Sequence, residues 1–284
     1  MNEKKKAFVS VDMEGLPHIV SMEHMFPGRY LYNEARSIMT DCVLAMVEEL
    51  HGLGVKRVVV ADSHGPMVNL IPDKMPSYVS IVRGSSRSLS MVSGGNDADM
   101  ALFLGYHAKP GSANSTFDHT MSGNVFRSVK CNGVDSSEFY INAAVLGEQR
   151  VPIVLVAGDK TLLDEDVRKF APWSVRVPLK ESLGRYASIS PSMSECLELI
   201  RKGVRESVSK FEEMKPLSVK SPVDLEISFT STAYAHIASH LPGSRRADRG
   251  WGVAYTAKSM TEAYLVTELL LSAAGGVRAN VDPK

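Results

Sequence analysis

Apolar residues fall along the chain in two rhythms. Four short runs are nearly continuous in Val, Ile, Leu and Phe: residues 7–14 (AFVSVDME), 56–65 (KRVVVADSHG), 99–108 (DMALFLGYHA) and 151–159 (VPIVLVAGD). Runs this short and this uniformly apolar predict strands buried on both faces. Between the first two the period lengthens. Over residues 33–51, Ala35, Ile38, Met39, Cys42, Val43 and Met46 recur three and four apart, which predicts a helix ended by Gly52 or Gly54. A second helix is expected after NGVDSS, capped by Ser136 or Ser137, with Glu138 in its first turn. Strands alternating with helices predict an α/β fold, a three-layer α/β/α core around a mainly parallel sheet.

Past residue 160 the texture changes. Ser190-Pro191 opens an amphipathic helix expected over 191–214, with Cys196, Leu199, Ile200 and Val204 at helical spacing. A strand at 224–229 (DLEISF), a short helix, a strand at 250–257 (GWGVAYTA) and a helix over 260–273 follow. These predict a smaller α/β lobe over 166–284, packed on a first α/β domain over 1–165. Residues 69–96 lack strong periodicity and are rich in Ser, Gly and Met, which fits a lid or an oligomer contact.

The ends of the four apolar runs carry the chemistry. They close on Asp12 and Glu14, on Asp62 and His64, on His107, and on Asp159. In an extended chain residues i and i+2 share a face, so Asp12 and Glu14 sit together with Met13 turned away. Two carboxylates about 7 Å apart along a strand repel unless positive charge lies between them. In open parallel sheets the carboxyl ends line one edge, and ligands bind outside it. Asp12, Glu14, His64 and His107 are expected to converge there, and Glu138, entering a helix from the same side, to join them. Three carboxylates and two imidazoles suit divalent zinc, manganese or cobalt. Two divalent ions bring four positive charges against three negative ones, leaving room for a hydroxide.

Each residue alone has a plainer reading. Asp12 is also what a cap or turn looks like, His64 a turn residue, His107 a core histidine, and Glu138 a first-turn acid offsetting the helix dipole. His18, His24, His51, His236 and His240 are read as structural or exposed.

Composition narrows the partners. Lys plus Arg equals Asp plus Glu, 32 each, so neither nucleic acid nor an anionic membrane is expected as the main partner. The three cysteines are far apart, which fits a reducing interior better than a disulfide framework. The first apolar run is broken by Asp12, too early for a secretory signal, and no stretch approaches a membrane span. A cytoplasmic protein is expected.

Taken in order, SVDMEG (10–15), DSHG (62–65), GYHA (105–108), FDHT (117–120), NGVDSSE (132–138) and VPIVLVAGD (151–159) resemble the DppA-type D-aminopeptidase family, the M55 binuclear zinc peptidases. The later VPLKESLGRYAS (177–188) is similar as well, so the resemblance spans essentially the whole chain. It implies two zinc ions per chain, with Mn²⁺ or Co²⁺ as substitutes. Asp12 would bridge them, Glu14 and His64 would hold one, and His107 and Glu138 the other. His119 would act in catalysis without binding metal. It further implies a homo-oligomer, a decamer of two stacked five-membered rings.

The activity expected is removal of N-terminal residues, D-amino acids in particular, from short peptides or amino-acid amides by a water activated between the ions. A Mg²⁺-dependent phosphoryl-transfer hydrolase is the competing enzyme. It lacks a G-x-x-x-x-G-K-[ST] loop here, and imidazoles suit magnesium poorly. A metal- or peptide-binding ring without turnover is the non-enzymatic alternative.

Overall fold

The computed structural model describes residues 5–281. It runs β1 (Lys6–Val11), α1 (Tyr32–Gly52), β2 (Arg57–Asp62), β3 (Val79–Val82), β4 (Met100–Tyr106), β5 (Phe126–Cys131), β6 (Val134–Asp135), α2 (Glu138–Glu148) and β7 (Ile153–Asp159). Two short helices, α3 (Lys160–Leu162) and α4 (Arg168–Phe170), flank a π-helical turn. Then come β8 (Val175–Gly184), β9 (Ala187–Ile189), α5 (Met193–Ser209), β10 (Val223–Phe229) and α6 (Thr232–Ala238). The chain closes with β11 (Arg245–Ala247), β12 (Gly252–Ala257) and α7 (Met260–Val281).

The four apolar runs lie side by side or nearly so in a seven-stranded sheet ordered β3-β2-β1-β4-β7-β8-β9, parallel except for the β8–β9 hairpin. β4 and β7 are buried along their whole length, as their uninterrupted apolar sequences require. On one face Val9, Val11 and Met13 pack with Met39 and Val43 of α1 and Ile200 of α5. On the other, Phe8, Phe103 and Val156 meet Phe139 and Leu146 of α2. The three-layer α/β/α core is thus present.

A second sheet, ordered β11-β12-β10-β5-β6, is antiparallel throughout. Its Val129, Leu225, Ile227 and Val253 join the same core as α2 and α7. Its strands do not follow a single break in the chain. β5 and β6 come from residues 126–135, while β8 and β9, later in sequence, extend the large sheet. Position 165 therefore falls between β7 and β8, neighbours in one sheet. β5 alternates buried and exposed residues (FRSVKC), the pattern of a half-covered antiparallel strand, which gives little apolar signal. Residues 69–96 supply β3, a half-exposed edge strand, and then a loop in which Ser86, Leu89 and Ser90 hold positive φ.

Candidate metal centre

Asp12 follows β1, His64 follows β2 and His107 follows β4, so three adjacent parallel strands deliver them to one edge of the sheet. Glu138 opens α2, whose N-cap Ser137 accepts from the Tyr140 N–H. Two glycines let the strand ends interlock. Gly15 donates its N–H to Gly105 O at 2.7 Å, and a Cβ on Gly15 would lie 2.0 Å from Tyr106 O. Gly105, at φ +74°, would put a Cβ 2.1 Å from Asp12 O. That close approach, beside a register shift in β4 between Leu104 and Tyr106, turns His107 toward Asp12.

The structure brings the five expected residues together, and His119 with them. Glu14 Oε2 lies 2.8 Å and Asp12 Oδ1 3.4 Å from His64 Nδ1. Asp12 Oδ2 is 3.5 Å from His107 Nε2, which is also 3.5 Å from Glu138 Oε2. Met13 is turned into the opposite core, as strand alternation requires. His119 Nε2 is 3.6 Å from Glu138 Oε1, and its ring stacks on His107 with centroids 4.3 Å apart. The donors form two groups, Asp12–Glu14–His64 and His107–His119–Glu138, with Asp12 facing a histidine of each. Of the remaining histidines, His24 is buried and caps a turn through Ser21 N–H, while His51 stacks on Tyr78.

Backbone carbonyls fix the imidazoles. His64 Nε2 donates to Met25 O at 2.9 Å, which leaves Nδ1 turned to the Glu14 and Asp12 carboxylates. His107 Nδ1 donates to Ala108 O at 3.1 Å, and its Nε2 is buried with no hydrogen-bond partner among the described residues. This is how metal-binding histidines are oriented. The electrostatics also call for cations. Burial and the Glu14 charge push Asp12 well above the carboxylate range. Burial would raise Glu14 too, but His64 outweighs it and holds that carboxyl low. Against the cost of burial, Glu138 and Asp12 lift His107 to about 10. An orphaned imidazole nitrogen beside three buried carboxylates fits a borderline divalent metal.

Lys180 falls within VPLKESLGRYAS (177–188). It is buried in β8 and donates to the carbonyls of Glu14 and, at 2.8 Å, Ile19. It thereby clamps the segment that carries Asp12 and Glu14. A lysine reaching backbone carbonyls leaves no mark in a sequence. Lys180→Met is expected to lower divalent-metal affinity by about tenfold or more, and to reduce the melting temperature, since two carbonyls lose their donor at about 1–3 kcal/mol each. Calorimetric metal titration checks this; wild-type affinity in the variant would show that the clamp is dispensable.

Asp62 orients His64 through another residue. Its carboxylate takes the Asn69 and Leu70 N–H groups at 2.6 and 2.8 Å, and Asn69 Nδ2 holds His64 O at 2.7 Å. Asp159 caps the next helix through Thr161 N–H and accepts from Ser115 and Ser182, anchoring the loop that leads to His119.

A family model described as D-aminopeptidase (Peptidase_M55) matches residues 5–269. The chain belongs to the D-aminopeptidase family. A D-aminopeptidase of Bacillus subtilis (strain 168) is 30% identical over 271 residues, covering 94% of this chain and 98% of the relative. The solved structure of the Zn-dependent D-aminopeptidase DppA from Bacillus subtilis, described as a self-compartmentalizing protease, is 29% identical with a TM-score of 0.91, covering 95% and 98% of the two chains.

In this member of the D-aminopeptidase family two cavities open on the cluster. A large one of about 860 Å³ has Met22, Phe26, Phe117 and Tyr186 on its walls and Arg29, Arg185 and Arg278 around them. A smaller one of about 310 Å³ reaches Asp12 and Glu138. They share Glu14, His64, Gly65, His119, Met121 and Leu271. No helix of the described residues is long and apolar enough to cross a membrane.

Proposed function

We propose that this chain is a binuclear zinc aminopeptidase that releases N-terminal D-residues from short peptides and amino-acid amides. The observation that carries this reading is Asp12, whose two oxygens face His64 and His107, one histidine from each donor group. Asp12, Glu14 and His64 would hold one ion; Asp12, His107 and Glu138 would hold the other. Bound there, zinc supplies the Lewis acidity that polarises an amide carbonyl and lowers the pKa of water.

The chain's own residues do the rest. His119 Nδ1 donates to Phe117 O at 2.6 Å, which leaves Nε2 facing the cluster to take a proton and pass it to the departing amine. His119 is more exposed than the other five, and it lines both cavities. That position suits a group meeting substrate better than a ligand locked under it. Lys180 and Asn69 keep the donors in register. The buried strand ends exclude bulk water, which strengthens each polar contact within.

The relative's self-compartmentalizing character supports a homo-oligomer here, with a decamer as the form the family resemblance implies. Tyr30, Leu183 and Ile189, all well exposed, offer apolar surface for such contacts. Three buried, unpaired thiols accord with a cytoplasmic setting.

Paired D- and L-aminoacyl amides, assayed on zinc-reconstituted protein with and without chelator, test the reading. Turnover of the D-series is expected, lost on chelation and restored by zinc, with two zinc equivalents per chain. Full turnover by metal-stripped protein, or binding of magnesium alone, would overturn it.

A further inference from the structure

An aminopeptidase lodges the released residue on one side of the scissile carbonyl and the departing peptide on the other. The inference here rests on that proposed function. The large cavity is ringed by arginines; none lines the small one. The small cavity instead has Met67, Met91, Met121 and Leu271 as apolar walls, with Ser85, Ser86, Ser90 and Glu268 among its polar groups. Apart from Asp12, Glu14 and Glu138, Glu268 is the only acid lining either cavity among the described residues.

Glu268 projects from α7 against the 84–90 loop, where the Leu89 N–H approaches it. Among the described residues no ion pair holds it. Burial lifts its carboxyl to about 7, past the opposing pulls of the Leu89 N–H and Arg87. Arg87 is the cation whose charge reaches it, but that guanidinium is committed to backbone carbonyls. It donates to Asp62 O at 2.6 Å, Ser90 O and Gly84 O at 2.9 Å, and Val82 O at 3.2 Å. These bonds tie down a loop whose Ser86, Leu89 and Ser90 hold positive φ, a strain that persists only where packing imposes it. The wall is thus built, and its carboxylate is short of positive charge.

We propose that the small cavity receives the side chain of the released residue, and that Glu268 selects there an aliphatic chain ending in an ammonium, as in lysine or ornithine. A volume of about 310 Å³ equals that of about ten waters, ample for four methylenes and an amine. Thioether walls adapt to methylenes, and the carboxylate meets the cation at the end of the stem.

The test compares D-lysinamide with D-norleucinamide, which is closely matched in length and uncharged at the side-chain end, on zinc-loaded full-length protein at about pH 8, above the Glu268 pKa. Wild type is expected to favour the lysyl substrate by about tenfold in kcat/KM, the scale of one hydrogen bond to a charged group. Glu268→Gln should bring the ratio near one, and Glu268→Asp should restore part of it, with zinc content unchanged in both. A wild-type ratio near or below one, or a ratio unmoved in Glu268→Gln, overturns the proposal. Calorimetric binding of free D-lysine and D-norleucine reads the same preference without turnover, and equal affinities likewise overturn it. Failure of the aminopeptidase reading looks different: no D-aminoacyl amide, D-alaninamide included, is hydrolysed.

Discussion

Asp12→Asn is expected to lose both metal ions rather than one, and at least about a thousandfold in turnover, because several kcal/mol of charge stabilisation depart with the ions. The reason is geometric. The two oxygens of Asp12 face His64 and His107, at 3.4 Å and 3.5 Å, one histidine from each donor group. His64→Ala is expected to empty only the first group and His107→Ala only the second, so metal content per chain separates the three variants. Stability moves in the opposite sense. Burial and Glu14 make ionised Asp12 costly, so after chelation the Asn variant is expected to melt at or above wild type. The rise in melting temperature that zinc gives wild type should vanish. An Asp12→Asn protein that retains two zinc equivalents would refute the bridging assignment.

The residues of this centre were legible because each stands at a break in a strong pattern. Asp12 and Glu14 interrupt an apolar run, Met13 between them keeps to the core, and Glu138 falls just inside a capped helix. Parallel topology then dictates that such breaks meet along one edge. What the sequence concealed depends on backbone atoms or on half-exposed strands. Met25 O orients His64, and the Glu14 and Ile19 carbonyls receive Lys180; carbonyls have no letter of their own. β3 is only four residues long and β5 is half polar, so neither makes a run that stands out from the loops around it. The passage of 126–135 into the second sheet follows from a pairing of β5 with β10, about a hundred residues apart, which periodicity cannot register. Glu268 stayed hidden for a related reason. It sits in a long helix whose apolar pattern describes packing, while its significance comes from the loop it faces.

His119→Ala is expected to keep the metal and lose turnover by about 10²–10⁴, the usual range for a positioned acid–base group. The loop carrying His119 is held from several sides. His119 N–H donates to Ala108 O, Phe117 N–H to Arg185 O, and Arg185 binds the Asp118 carbonyl at 3.0 Å. Phe117 and Met121, two residues either side, both adopt positive φ, and Gly123 leaves room beside the His119 Cβ. So much constraint fixes the ring on His107 with Nε2 facing the cluster. Proximity alone also permits a ligand role, since Nε2 falls in the same donor group as His107 and Glu138. The two roles diverge under measurement. A ligand's removal lowers zinc content, whereas a proton donor's removal lowers kcat at full occupancy. His119→Gln sharpens the contrast, because an amide can keep a hydrogen bond to substrate yet cannot relay a proton. That variant should hold KM near the wild-type value while kcat falls. Loss of a zinc equivalent would reassign His119 to the ligand set, and unchanged kinetics would remove it from the chemistry altogether.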